Sequence, residues 1–294
     1  TLASGQSVII ITVITILAIR QLNFTTVIRK LRIWSTWFLC VHSICFALLY
    51  FMGQTQLFST DGQGRVRASF GFGHANSFSI YVFNIILMWT WEKYDELSWK
   101  NVFAVAVIDT VLFQLTDSKT FYFCALVFLL LLMVIRCKKL PVGWIIEAAK
   151  LIFPTLSLLF LSAYGLLLKG NLLIRTLDKA LTGRITLGAY ALQKYGVSFM
   201  GQKLNFGSMT WTPEWQLNYF TLDCTYTSLW INIGWLWIII LIGCFLLIAQ
   251  KESIKTSVFI IMWALYAISE VHGLDAYLCF PILMISTLLD NKCK

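Results

Sequence analysis

The chain has 294 residues, of which 59% are hydrophobic and only 13% are charged, and its mean hydropathy is +0.76. Soluble domains carry about 25% charged residues, so the composition excludes an ordinary soluble protein and predicts an integral membrane protein. The net charge of +9 does not predict binding to nucleic acid, because the basic residues lie in short segments between apolar runs.

The apolar runs predict helices, because they are continuous and lack the alternation of a barrel strand. We therefore expect an all-α polytopic membrane protein, with 1–294 as a single membrane domain. The chain begins without Met in an apolar run, so we interpret it as a fragment and expect further spans upstream. About nine transmembrane helices of near ~20 residues are predicted, at 4–19, 34–53, 76–91, 100–115, 119–135, 144–168, 227–249, 256–270 and 273–289.

Most of the short basic loops fall on one side of these spans, which the positive-inside rule assigns to the cytoplasm. The other face receives 54–75, 116–118, the long loop 169–226 and the turn at 270–273. Arginines in the short external loop 54–75 go against the rule, which suggests that they bind an anionic ligand. Contact with lipid headgroups is the alternative.

The external loop before the third span contains Arg65, Arg67, His74 and Asn76. Two guanidinium groups offer forked donors to a phosphate or carboxylate, and a helix that starts near Asn76 points its free amides outward. This pattern predicts an anion site beside a titratable group. His74 is a candidate general acid or base, although a histidine here can also serve only as a helix cap.

The next external turn, 116–118, joins two spans and is followed by Lys119. Asp117 and Ser118 are expected to cap the following helix, whereas Lys119 adds a third external cation.

The long loop 169–226 holds six basic and three acidic residues, and we expect it to lie outside the membrane. A helix is predicted from Thr182 or Gly183 to a stop at Gly196. Arg184, Gly188, Ala191 and Tyr195 share one face of that helix. This face predicts either a groove for a bulky polar ligand or close packing on a neighbouring span.

Two further external segments carry ionisable groups. Asp223 and Tyr226 lie one turn apart where the seventh span begins, and the last external turn holds Glu270, His272 and Asp275. The dense charges of that last turn make Glu270 and His272 further candidates for general-base catalysis.

The aromatic tract 211–220 predicts either a platform for sugars or an interfacial belt. Neither metal-ligand spacing nor a nucleotide-binding glycine motif is present in the sequence.

Taken in order, the segments 67–76, 117–119, 181–201 and 222–226 resemble the Wzy-type polysaccharide polymerases of the O-antigen polymerase and ligase superfamily, in particular the capsule and exopolysaccharide branch. The resemblance implies a GT-C-like membrane glycosyltransferase in the bacterial cytoplasmic membrane. The implied substrate is an undecaprenyl-diphosphate-linked oligosaccharide repeat, with no metal or other cofactor and no nucleic acid. A flippase and a chain-length regulator are the implied partners.

The resemblance carries recognition of the lipid diphosphate onto Arg67 and Arg184. We expect these two arginines to stabilise the leaving diphosphate, with support from Arg65 and Lys119, and Arg65, Arg67 and Arg184 to converge in one external hollow. His74 is the first candidate for the general base, followed by Glu270 and His272. Candidates for substrate binding are Tyr195, Asn76, Asp223 and Tyr226.

Two alternatives remain open at the level of sequence. A ligase that transfers a finished glycan to another acceptor would carry the same motifs. A flippase for lipid-linked oligosaccharides belongs to another class, and it would keep its charged residues along a pathway at mid-membrane instead of gathering them on one face.

Overall fold

The structure is a computed structural model that describes residues 7–60, 65–137, 143–251 and 253–290. The described chain is mostly helical, as the sequence predicts, and it contains two short antiparallel hairpins that the sequence analysis did not predict. The elements in chain order are α1 (Ser7–Ile19), α2 (Phe24–Phe51), β1 (Phe58–Thr60), β2 (Val66–Ala68), α3 (Ala75–Lys93), α4 (Trp99–Thr116), α5 (Lys119–Arg136), α6 (Gly143–Leu168), α7 (Leu172–Ala180), α8 (Arg184–Tyr195), β3 (Gly207–Thr212), β4 (Leu217–Phe220), the short turn α9 (Thr225–Thr227), α10 (Trp235–Ala249) and α11 (Ile254–Ser269).

Seven of the predicted spans correspond to single helices of the structure, namely α1 to α6 and α11. The predicted span 227–249 is divided, because a π-helical turn, Ser228–Ile233, precedes α10 and ends at Gly234. Gly234 has φ 110°, a conformation that L side chains rarely adopt. The predicted span 273–289 is mainly a 3-10 helix, Phe280–Leu288.

Two helices, α2 and α6, are long and apolar enough to cross a membrane. Four shorter apolar helices are Ser7–Ile19, Phe121–Arg136, Trp235–Ala249 and Ile254–Ile268. On α2 the side chains of Trp34 and Phe51 are 73% and 83% exposed, as expected for residues that face lipid. The nine-span arrangement stays a prediction.

The chain divides into two compact units. Unit 1 combines Thr1–Arg20 with Gly143–Lys294, and unit 2 is Gln21–Val142. In unit 1, α6 packs against α8, α10 and α11. Phe153 of α6 contacts the rings of Tyr226 on α9 and Trp263 on α11, so aromatic contacts join α6 to these two elements.

The long loop 169–226 is structured. It contains α7, α8 and the β3–β4 hairpin, which pairs Gly207 with Phe220 and Thr212 with Leu217. A small hydrophobic core holds the loop together; its buried members are Tyr190, Ala191, Leu204, Phe220, Leu222 and Ile231. Trp215 packs against the edge of the Tyr190 ring, so part of the aromatic tract is packed on this core.

In unit 2, α3 packs against α2, α4 and α5. The β1–β2 hairpin pairs Phe58 with Ala68 and Ser59 with Arg67, which directs the second strand toward α4. His42 of α2 forms a 2.8 Å hydrogen bond with the carbonyl oxygen of Phe70.

Candidate functional site

The structure gathers most of the predicted site residues into two clusters, one in each unit. The unit 1 cluster consists of Arg184, Asp223, Glu270, His272 and Asp275.

Arg184 is the first residue of α8, and the preceding turn fixes its position. Gly183 takes the left-handed conformation with φ 84°, and the Asp178 carboxylate accepts hydrogen bonds from the amides of Ile185 and Thr186 at 2.7 and 3.0 Å. Asp178 therefore caps α8 from seven residues upstream. The Asp178 carboxylate already accepts hydrogen bonds from these two amides, so they cannot bind a ligand. Arg184 is therefore the group at this end of the helix that supplies positive charge to an anionic ligand.

The Arg184 side chain is 9% exposed and turns back over the α7–α8 connection. Its Nη1 donates to the Leu181 carbonyl at 3.3 Å and to Thr182 Oγ1 at 3.0 Å. Both contacts are local, within three residues of Arg184. Burial raises the pKa of the Glu270 carboxyl, and the Arg184 guanidinium opposes part of that rise, so the two groups lie within electrostatic range of each other.

Thr225 joins the Asp223 segment to the turn at 270–273. The Glu270 carbonyl accepts the Thr225 amide at 3.0 Å, and Thr225 Oγ1 accepts the Gly273 amide at 3.1 Å. A Cβ atom at Gly273 would lie 2.6 Å from Thr225 Oγ1, so only glycine allows this approach. These contacts bring the exposed Asp223 within electrostatic range of Glu270 and His272.

Glu270 and His272 both have shifted pKa values. Glu270 directly follows α11, and burial raises the pKa of its carboxyl from 4.5 to about 8, with Arg184 opposing the rise and Asp223 adding to it. Burial lowers the pKa of the His272 imidazole below 6.5, against the effect of Asp275 and Asp223. At pH 7 the imidazole is therefore mainly neutral and able to accept a proton, while the Glu270 carboxyl is mainly protonated.

Asp275 lies beside His272, with 4.0 Å between Oδ2 and the imidazole Nδ1. Its other oxygen, Oδ1, accepts the Tyr277 amide at 2.9 Å, which holds the carboxylate in place. A carboxylate fixed next to one ring nitrogen stabilises the imidazolium that forms when the ring takes up a proton.

Two other predicted residues of unit 1 are placed apart from this cluster. Tyr226 is fully buried, stacks on Phe160 and donates to the Ala264 carbonyl at 2.9 Å. Tyr195 stacks on Phe220 at the far end of α8, about 16 Å along the helix from Arg184 at 1.5 Å per residue. Gly188 lies between Arg184 and Tyr195 on α8 and packs directly against the Tyr164 ring of α6, which agrees with close packing on a neighbouring span.

The unit 2 cluster consists of Arg65, Arg67, His74, Asn76 and Asp117. Arg67 is 5% exposed and binds residues from two other elements: Nε donates to the Thr116 carbonyl at 2.7 Å, and Nη2 donates to Asn76 Oδ1 at 2.6 Å and to the Asp117 carbonyl at 3.2 Å. The last carbonyls of α4 have no partner within the helix, and Arg67 supplies one. Arg67 thus connects the β1–β2 hairpin to the ends of α3 and α4.

The other members of this cluster surround Arg67. Arg65 forms a 3.5 Å ion pair with Asp117, which is the left-handed C-cap of α4. His74 caps α3, because its Nδ1 accepts the Asn76 amide at 3.2 Å. Lys119 begins α5 and is exposed. The convergence of Arg65 and Arg67 with Arg184 stays a prediction.

Sequence reasoning missed several residues that shape the unit 1 cluster. Asp178 was counted only as an acidic loop residue, and Thr225 was not singled out. Asp178 stands upstream of a Gly-Arg helix start, which could have suggested a distant cap; nothing near Thr225 in the sequence points to its contact with Gly273. Within the described ranges, no three His, Cys, Asp or Glu side chains come together in a way that could hold a metal ion.

No protein-family model, no curated protein and no solved structure matches this chain. The assignment of a function therefore depends on the resemblance in the sequence motifs and on the geometry of the clusters.

Proposed function

We propose that the chain is a membrane glycosyltransferase that polymerises undecaprenyl-diphosphate-linked oligosaccharide repeats into capsular or exopolysaccharide. In this proposal the chain crosses the bacterial cytoplasmic membrane many times and acts at its outer face. The observation that carries the proposal is the unit 1 cluster, in which a buried arginine, a neutral histidine and a carboxyl with a pKa of about 8 lie together. Anion binding and proton transfer are the two tasks that this reaction requires.

In the proposed reaction, a hydroxyl of one repeat attacks the anomeric carbon of the glycan on another lipid carrier. The bond between that carbon and the diphosphate oxygen breaks, and the electron pair leaves with the diphosphate. Arg184 stabilises the negative charge that develops on this leaving group. His272, which Asp275 supports, accepts the proton of the attacking hydroxyl.

The roles of the other candidates follow from their positions. Glu270 lies within electrostatic range of Arg184, and Asp223 lies within electrostatic range of Glu270 and His272. In this proposal the two carboxyl groups set the net charge of the cluster. Arg67, Asn76 and His74 bind backbone and side-chain groups of unit 2, so in this proposal they maintain the fold of that unit. Arg65 and Lys119 supply positive charge near the outer surface.

The test is to replace Arg184 with Ala and to measure polymer length in membranes supplied with lipid-linked repeats. We expect at least a 100-fold loss of polymer, in line with the removal of one preorganised group that stabilises transition-state charge. Arg175→Ala is the matched control, because Arg175 is an exposed arginine of the same loop, on α7, and its loss should change the yield less than twofold.

Polymer of undiminished length in Arg184→Ala, with the protein inserted at the normal level, would remove Arg184 from the site. The proposed function itself is refuted if membranes that carry the unaltered chain make no more polymer than membranes that lack it. The product that accumulates separates the alternatives. A defective polymerase leaves single lipid-linked repeats at the outer face, a defective ligase leaves lipid-linked polymer, and a defective flippase leaves repeats at the cytoplasmic face.

A further inference from the structure

A cavity of about 230 Å³ lies beside the unit 1 cluster. Its polar lining comes from Thr221, Ser228, Asn232, His272 and Asp275. Its apolar lining includes Phe206, Leu222 and Ile233. The volume is many times what one bridging water needs, so the cavity can hold a small organic group.

Two polar atoms in the lining residues have unmet hydrogen-bonding capacity. Asn232 Oδ1 and Ser228 Oγ have no hydrogen-bond partner in the part of the chain that the structure describes, and both residues are only 1% exposed. Leaving such an atom unpaired costs about 1–3 kcal/mol, so proteins seldom retain two of them together unless something else binds there. Both atoms are closed off in this conformation, and a change of side-chain rotamer would expose them to the cavity, where a ligand that carries hydroxyl groups would satisfy both.

The backbone holds these two residues rigidly. They lie four positions apart on the π-helical turn, a feature that is frequent at functional sites. The segment 198–202 fixes that turn: the Gln202 amide donates to the Asn232 carbonyl at 2.9 Å, and the Ser198 amide donates to the Trp230 carbonyl at 3.0 Å. The Gly201 backbone approaches the Ile233 carbonyl so closely that a Cβ atom at Gly201 would lie 2.6 Å from the oxygen.

We propose that this cavity binds the terminal sugar ring of the acceptor repeat, with ring hydroxyls on Asn232 and Ser228. The apolar lining suits the C–H face of a sugar, and the polar lining suits its hydroxyls. His272 lines the same cavity and is the group that takes the acceptor proton in the proposed reaction. This inference deepens the proposed function and rests on it, since it assigns the acceptor position of the same site.

The charges around the cavity make it selective. Asp275 lies in the lining, and Asp223 lies within electrostatic range of His272. Arg184, the cation of the cluster, is not among the described residues that line the cavity, and the His272 ring is mainly neutral at pH 7, so no positive charge stands beside Asp275 in the lining. The cavity should therefore accept neutral sugars and repel uronic acids.

The experiment measures binding of free glucose, galactose, N-acetylglucosamine and glucuronic acid by saturation-transfer NMR. The full chain is purified in a detergent that carries no sugar, because a glycoside detergent would compete. We expect saturable binding of at least one neutral sugar and at least tenfold weaker binding of glucuronic acid. Ser228→Ala and Asn232→Leu should each weaken the neutral sugar at least fivefold.

Ser228→Ala keeps the test decisive even if Asn232→Leu misfolds. It removes a buried hydroxyl that has no hydrogen-bond partner among the described residues, so it should leave the unfolding temperature unchanged or raise it. Ser257→Ala is the matched control: Ser257 is also buried with no partner for its hydroxyl in the described ranges, but it does not line this cavity, so sugar binding should stay within twofold.

A second measurement asks whether the sugar belongs to the lipid-linked repeat. In the polymerisation assay, Ser228→Ala should raise the KM for the repeat at least fivefold and shorten the polymer. If sugar binding and KM stay normal in both cavity variants while Arg184→Ala abolishes polymer, the acceptor assignment is wrong and the proposed function stands. If the cavity variants lose sugar binding while Arg184→Ala still makes polymer, the cavity is a sugar site and the role proposed for Arg184 is wrong. If the unaltered chain binds sugar in the cavity but makes no polymer from lipid-linked repeats, the proposed function is wrong.

Discussion

The unit 1 and unit 2 clusters contain similar residues, namely arginine, carboxylates and a histidine, but their hydrogen bonds differ. Arg67 binds groups 9, 49 and 50 residues away in sequence, whereas the hydrogen bonds described for Arg184 reach only two and three residues away. The donors of Arg67 bind groups of two other elements and so maintain the fold, whereas the hydrogen bonds described for Arg184 are made to the α7–α8 connection next to it. Residue type alone therefore does not separate an arginine that maintains the fold from the one that we propose as catalytic.

Arg67→Ala gives the largest expected effect. It removes a buried charge whose donors satisfy two main-chain carbonyls and one side-chain oxygen, so we expect a loss of roughly 3–5 kcal/mol of unfolding free energy. Thermal unfolding in detergent measures it. Arg65→Ala is the control: its ion pair with Asp117 is partly exposed, and its loss should cost about 1 kcal/mol or less. If Arg67→Ala is as stable as the unaltered protein but makes no polymer, Arg67 acts in the active site and does not maintain the fold.

Gly273→Ala gives a smaller effect and tests the contact that assembles the unit 1 cluster. The new methyl group would lie 2.6 Å from Thr225 Oγ1, and such overpacking costs about 1–3 kcal/mol. We expect a lower unfolding temperature and reduced polymer yield. Gly243→Ala on α10 is the matched control, because nothing lies within 4 Å of its added carbon. Equal behaviour of the two variants would show that the Thr225 contact does not hold Glu270 and His272 in place.

The pH dependence of stability reports on Glu270. The folded state holds the Glu270 proton up to a pKa of about 8, whereas the unfolded chain releases it near 4.5. This contribution to stability is therefore complete below pH 4.5 and is lost as the pH rises toward 8. Glu270→Gln should flatten this part of the profile, measured as unfolding temperature between pH 5 and pH 8. An identical slope in the variant would show that Glu270 is not buried as described. Asp223→Asn is a useful companion, because removing that negative charge should lower the Glu270 pKa.

The helices were predictable from the sequence because each apolar run is long and bounded by charged residues or glycine. The stop of α8 at Gly196 was also predictable, since Gly196 adopts φ 69° just beyond the last helical turn. The two hairpins were missed: β1 and β2 have three residues each, too few to show a clear alternation. The π-helical turn was missed as well, because four of its six residues are apolar and lead directly into the apolar helix that follows.

The sequence by itself determined the helical character of this chain, the position of most helices, and which polar residues need an explanation. Only the tertiary structure decided which of those residues meet. Arg67 is bound by carbonyl groups at the end of α4, and Asp223 lies near Glu270 because Thr225 and Gly273 fit together. Hydrophobic periodicity reports the local environment of a residue, whereas contacts between residues 48 or 49 positions apart depend on how the elements pack.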